Sequence, residues 1–228
     1  DGHSLLPQDD LTRRASSLDV PEHRTLGAVR ELAARKLVVC DEDRVYAPPL
    51  YRAEVEVALR LRNLAGRRER PKNTDAVLSR IDTSALASAQ AKALHATFEE
   101  GLLVITGGTG TGKTTITRAI VEAHRALERR VLLCAPTGRA AKRLSEATGS
   151  EAMTLHRLLE WNPRVGSFAR DAQSPLVADL VLVDEASMLD AQLAQHMLAA
   201  LPRECTLILV GDVDQLPPVS AGPVLREL

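Results

Sequence analysis

Aromatic residues are almost missing from this sequence: two Phe, two Tyr and one Trp make up 2% of 228 residues. Surfaces that stack flat ligands lean on aromatic side chains, so any such task falls on very few positions. Trp161, the one tryptophan, serves either as a stacking surface or as a core plug. Cysteine is scarce as well. Cys40, Cys134 and Cys205 lie far apart with no C-x-x-C pair, which argues against a disulfide framework or a zinc site. That usage suits a reducing compartment, and the expected location is the cytoplasm. No apolar run approaches the roughly 18 residues of a membrane helix, so no membrane partner is expected. An excess of one charge is lacking too: 29 Lys and Arg stand against 30 Asp and Glu, a net charge of −1. A globally basic protein is excluded, and any contact with a polyanion must be a local patch. Internal repeats and low-complexity tracts are absent. The opening Asp1-Gly2 carries no secretory pattern, and the natural start is expected upstream of it.

What is present has an ordinary globular balance, 45% hydrophobic and 26% charged. Residues 1–75 read as a small, mainly helical unit. Asp9 or Asp10 can cap a helix carrying Leu11, Ala15 and Leu18, and Thr25 starts another with Leu26, Val29 and Leu32 inward. A short hairpin is expected over 37–46, closed by Pro48-Pro49, and a third helix over 51–64. Helix, hairpin and helix together resemble a winged-helix module, which serves either DNA contact or packing. Between 60 and 72, six basic residues fall within thirteen positions, either touching phosphates or forming a solvated linker. Gly66, Pro71 and Asn73 make this stretch the expected domain boundary.

From residue 76 to 228 helices alternate with short apolar runs, the pattern of an α/β domain with a parallel sheet. A helix is expected over 84–100, and strands over 102–105, 131–134, 180–183 and 206–210. The runs are continuous rather than alternating, as strands buried on both faces require. Residues 161–178 read as a loop or hairpin.

The first strand, Leu102 to Ile105, runs into Gly107, Gly112, Lys113 and Thr114, which fit G-x-x-x-x-G-K-[ST]. Glycines let successive backbone N–H groups curl around a phosphate, and the helix start adds a positive dipole end. Gly108, Thr109, Gly110, Thr111, Gly112, Lys113, Thr114 and Thr115 are thus the candidate nucleotide-binding residues. Lys113 reaches the outer phosphates as a point charge, and Thr114 offers a hydroxyl to Mg²⁺. The strand over 180–183 delivers Asp184 and Glu185 at its C-terminal end, where open α/β sheets bind ligands. Asp184 is the candidate metal partner, and Glu185 the group that orients or deprotonates an attacking water. Acidic residues are also common at a bare helix start; the phosphate loop beside them favours the catalytic reading.

The loop, then PTGRAA (136–141), TLHRLL (154–159), VDEASM (183–188) and GDVDQLPPV (211–219), in this order, resemble motifs I, Ia, Ib, II and III of superfamily 1 DNA helicases. The last two are similar to the RecD-like branch, and GHSLLP (2–7) is similar to the accessory unit preceding its motor. The resemblance implies a RecA-like motor fold, ATP and Mg²⁺ as cofactors, single-stranded DNA as partner, and 5′ to 3′ movement. It implies that Gln90 reads adenine, that Gln215 senses the outer phosphate, and that Pro136, Thr137, Arg139 and His156 meet the DNA strand. From its own surroundings Gln90 reads as surface, and a lone His such as His156 is as often structural. A second motor domain carrying an arginine finger is expected beyond Leu228. Two other readings stand beside this one: a different regulatory ATPase or small-molecule kinase with a phosphate loop, and a module that binds DNA or a partner without catalysis.

Overall fold

The computed structural model describes residues 5–215, 218 and 220–227. Gly2, His3 and Ser4 of the accessory motif and Leu216, Pro217 and Val219 of the last motif lie outside the described residues.

β1 (Leu5–Pro7) leads into α1 (Gln8–Ser16) and α2 (Glu22–Ala34), followed by the expected hairpin β2 (Val39–Asp41) and β3 (Arg44–Tyr46). β1 pairs with the free side of β3, giving an antiparallel sheet in the order β1-β3-β2. Pro48-Pro49 do not close the hairpin; they occupy the first turn of α3 (Pro48–Leu64). A first turn tolerates proline because its N–H groups have no intrahelical partner.

The basic stretch that follows is docked rather than simply solvated. Arg68 N–H donates to Glu99 O at 2.7 Å, Gly101 N–H to Gly66 O at 3.0 Å, and Arg70 pairs with Asp75 and Glu99. Gly101 permits this docking. A Cβ there would lie 2.3 Å from Leu64 O and 2.6 Å from Arg68 Nε, so the glycine serves a close approach rather than a left-handed turn.

α4 (Thr74–Leu78) and α5 (Ser88–Ala96) precede β4 (Leu102–Thr106). α5 is shorter than the expected 84–100 because the Asp82 carboxylate accepts from both Ser84 N–H and Ser84 Oγ, a local turn that competes with helix. The chain continues through α6 (Lys113–Ala126), β5 (Val131–Ala135), α7 (Gly138–Thr148), β6 (Ala152–Thr154) and α8 (Leu155–Leu158). Within 161–178 lies the short hairpin β7 (Trp161–Asn162) and β8 (Ser167–Phe168). β9 (Leu180–Val183), α9 (Ala191–Ala200) and β10 (Thr206–Gly211) complete the order.

Five strands form one fully parallel sheet in the order β4-β10-β9-β5-β6. Side chains alternate across it by the pleat. Leu180, Leu182, Ile208 and Val210 pack with Leu94 and Phe98 of the α5 region and with Ile116 and Ile120 of α6. Val181, Val183, Leu207 and Leu209 pack on the opposite face with Leu155, Leu158, Met197 and Leu198. Ala53, Val57, Leu61 and Leu64 of α3 join this second cluster. Each such aliphatic side chain contributes about 1.5–3 kcal/mol on burial, whereas the half-exposed Glu56–Arg60 pair beside it contributes about 0.3–0.5 kcal/mol. Apolar burial therefore holds α3 on α9.

His124 near the end of α6 is fully buried and stacks on Phe98 at 4.1 Å. Arg129 Nη1 lies 3.2 Å from His124 Nδ1, and Thr97 Oγ1 lies 2.9 Å from Nε2. An arginine only donates, so Nδ1 accepts and Nε2–H donates to Thr97, whose hydroxyl passes on to Leu94 O. Burial, and then the Arg129 charge, push the His124 pKa from 6.5 down to about 3. The unfolded chain thus takes the proton first, and stability present above pH 6.5 is lost as pH falls toward 3. Urea midpoints should fall between pH 6.5 and 4, and His124→Gln should flatten that slope while lowering stability at pH 7; a slope equal to wild type would contradict this assignment.

Candidate nucleotide and strand site

A parallel sheet sends every strand's C-terminal end to the same edge. The loop after β4, the turns after β10 and β9, and the helix starts after β5 and β6 therefore stand side by side. With strands about 4.8 Å apart, β4 and β6 are separated by roughly 20 Å along this edge. The sequence-predicted residues divide between its two halves.

On the β4 side, Gly110 and Gly112 hold φ of 80° and 83°, conformations in which other residues are strained. Gly112 ends the loop as the N-cap of α6. Lys113 Nζ donates back to Gly107 O and, at 2.8 Å, to Gly108 O. Thr111 Oγ1 donates to Gly108 O at 2.9 Å, and a Cβ on Gly107 would lie 2.6 Å from that hydroxyl. Gly108, Thr109, Gly110 and Thr114 are exposed, and Thr115 is half-buried.

Gln90 lies against this loop rather than on open surface. Its Oε1 accepts from Ala87 N–H at 2.9 Å, and its Nε2 donates to Thr111 O at 3.0 Å and Gly112 O at 3.3 Å. A Cβ on Gly112 would meet Nε2 at 2.5 Å, so this glycine is needed for contact as well as for φ.

β9 is followed by Asp184, whose N–H donates to Cys134 O, and Glu185 adopts a left-handed φ of 52° before a 3-10 turn over Ala186–Met188. A non-glycine residue there costs of order 1–3 kcal/mol and persists where its surroundings enforce it. Burial raises the Asp184 pKa against the pull of Lys113. Burial and the Asp184 charge raise that of Glu185, opposed by Lys113 and Arg143. Lys113, Asp184 and Glu185 thus share one electrostatic neighbourhood.

Asp212, the first residue after β10, is buried and organises the turn that follows. Its carboxylate accepts from Asp214 N–H at 3.1 Å and from Gln215 Nε2 at 3.4 Å. Gln215 is therefore held in the turn that follows β10. Ser187, which the motif spacing does not single out, has a buried hydroxyl with no hydrogen-bond partner among the described residues. Arg143, one helical turn beyond Arg139 on α7, is a further basic group beside Glu185 that only the fold reveals.

On the β5 side, Pro136 is half-buried and Thr137 caps α7, its Oγ1 accepting from Ala140 N–H at 3.2 Å. Arg139 is exposed in the first turn. Thr154 likewise caps α8, which carries exposed His156. The His156 ring lies 6.3 Å from Trp161 and 5.7 Å from Phe168; Trp161 and Phe168 lie 4.8 Å apart, and His196 of α9 is 4.7 Å from Phe168. Trp161 is 41% exposed, so it is no core plug. Two of the five aromatic residues, Trp161 and Phe168, thus meet His156 and His196 in one cluster.

Among the described residues no group of three or more His, Cys, Asp or Glu is arranged to hold a metal ion. Mg²⁺ needs no such cage where phosphates and water complete its shell, and the Thr114 hydroxyl and Asp184 carboxylate form an all-oxygen donor set that fits it. No described helix is long and apolar enough to cross a membrane.

Parallel sheet, glycine loop and paired carboxylates together define a RecA-like P-loop domain. The family described as AAA domain matches residues 90–221, and the chain belongs to it, as a RecD-like superfamily 1 region. An ATP-dependent RecD2 DNA helicase of Deinococcus radiodurans is 38% identical over 243 residues, covering 100% of this chain and 34% of that protein. The RecBCD enzyme subunit RecD of Mycolicibacterium smegmatis is 39% identical over 163 residues, covering 61% and 29%. The ATP-dependent DNA helicase dda of Enterobacteria phage T4 is 38% identical over 126 residues, covering 53% and 29%. The chain spans about a third of the length of these relatives.

The Gln90 geometry separates two roles. If its amide reads the base, Gln90→Ala should weaken ATP binding about tenfold, near 1.4 kcal/mol, and erase a preference for ATP over GTP. Titration calorimetry with both nucleotides is the measurement; equal losses for ATP and GTP would leave Gln90 only its support of the loop.

Proposed function

We propose that this chain is the accessory unit and first motor domain of an ATP-dependent DNA helicase moving 5′ to 3′ on single-stranded DNA. One observation carries the reading: Lys113, Asp184 and Glu185 share one electrostatic neighbourhood at the β4-β10-β9 end of the edge along which Thr137, Arg139 and His156 also stand.

The residues divide the work as follows. Backbone N–H groups of 108–115 cradle the phosphates, and Lys113 leaves its loop carbonyls to offset charge on the transferring phosphoryl group. Glu185 holds the attacking water, and its pKa, raised by burial and Asp184 against the pull of Lys113 and Arg143, makes it a better proton acceptor. Thr114 and Asp184 would hold Mg²⁺, which would supply positive charge to offset that of the phosphates. Gln215, held by Asp212 in the turn after β10, reports the outer phosphate to the strand track. Arg139 and the α7 start favour phosphates of the strand, and Trp161 offers a face on which a base can stack.

We take residues 1–75 as the accessory unit and 76–228 as the motor, with a second motor domain of the parent protein as partner across the nucleotide. A cytoplasmic setting suits three free thiols, of which Cys205 is buried and pushed up to about 12 and so stays protonated.

In the parent helicase, Glu185→Gln should lower ATP turnover by about 10²–10⁴-fold with nucleotide affinity retained. Lys113→Ala should abolish turnover. Stopped-flow assays with single-stranded DNA test both, and wild-type turnover in either variant would end this reading.

A further inference from the structure

A second basic feature lies at the opposite end of the sheet from the glycine loop, where β4 and β10 begin. There the C-terminal ends of α3 and α9 border an open cleft of about 600 Å³, floored by Leu64, Leu198 and Leu201. Four arginines line it, Arg60, Arg67, Arg68 and Arg203, against a single carboxylate, Glu204.

Arg60 is occupied: its guanidinium holds Glu56 at 2.8 Å and donates to Leu198 O at 3.3 Å, the ordinary service of a cation at a helix C-terminus. The other three are not explained that way. Arg203 is exposed beyond the end of α9 and forms no ion pair among the described residues. The Arg67 side chain is 83% exposed, with Glu100 no nearer than 3.8 Å. Arg68 has a buried Nε with no hydrogen-bond partner, while its Nη1 donates to Glu204 Oε2 at 2.9 Å. The Glu204 side chain is itself 91% exposed. Its loosely held carboxylate marks where an anionic oxygen sits on the cluster, and an exposed arm is easily displaced.

We infer that this cleft is a second anion site that takes the phosphate backbone of a single-stranded nucleic acid, away from the strand track on the motor edge. Guanidinium forks match phosphate oxygens, and the apolar floor keeps water from one side of the contact. The charges are spread along an open rim, which suits a chain of monoanions better than one compact ligand. Only the choice of polymer rests on the function proposed above; the cleft and its charges do not.

The test uses labelled oligothymidylates of two lengths, one covering the motor edge alone and one long enough to reach the cleft, with anisotropy read across a salt series. Arg67→Ala with Arg203→Ala should leave the short strand unaffected and reduce the long strand's salt slope by about 1.4, at about 0.7 per lost phosphate contact. Glu204→Gln should tighten the long strand several-fold, and that gain should vanish in the double variant. Unchanged slopes with strand binding intact would overturn the cleft and spare the proposed function. Failure of both strands to bind would overturn both. Polyglutamate held by the cleft, with the DNA slopes unchanged, would assign it to an acidic protein and overturn the inference as well.

Discussion

The site depends on β10 lying between β4 and β9. All six residues of β10 are buried, and its register sets Gly211 opposite Thr106 and Leu209 opposite Val183. That pairing brings the glycine loop, the Asp212 turn and the Asp184-Glu185 pair to adjacent strand ends. A slip of one residue would exchange the faces of Leu207, Ile208, Leu209 and Val210 and expel both packed clusters. The hydrophobic pattern that folds the sheet thus also fixes the distance between a lysine and two carboxylates. Gly211 shows how tight that edge is: a Cβ there would meet Leu225 Cδ2 at 2.6 Å and Ser187 N at 3.1 Å.

The same packing ties the edge to the rest of the chain. α9 follows the carboxylates directly, is capped by Asp190, and carries Gln195 to Glu56 of α3 and His196 to Phe168 of the hairpin. At the other end of the sheet, Gly101 lets Arg68 and the backbone after α3 lie against the start of β4. The 17-residue helix α3 is thereby held along its length, mostly by apolar burial. Movement of the carboxylate turn therefore has a physical route to the N-terminal unit, through one packed helix and a few polar contacts.

Much of this was legible in the residues, and the exceptions have causes. β4, β5, β9 and β10 are continuous apolar runs ended by glycine, proline or charge, which few other structures explain. β1 and β6 have three residues each and pair along one side, too short for any pattern to register. α9 carries Leu193, Ala194, Met197 and Leu198 at helical spacing but no motif, so a reading led by motifs passes over it. At the site, Lys113, Asp184 and Glu185 were readable because their chemistry dictates spacing along the chain. Ser187 and Arg143 became visible only through tertiary contact. The Gln90 bonds to the loop join positions 90 and 111–112, and no local pattern encodes a contact across that separation.

The central claim is that nucleotide and strand occupy two halves of one sheet edge. Amide hydrogen exchange followed by mass spectrometry tests it most directly, on the chain alone, with Mg²⁺-ATP, and with single-stranded DNA. The account predicts that nucleotide protects 107–115, 184–188 and 211–215, while DNA protects 136–141 and 154–161. Protection by nucleotide that leaves 184–188 and 211–215 unchanged would contradict it, because the β10 pairing would then not have brought those turns to the phosphates.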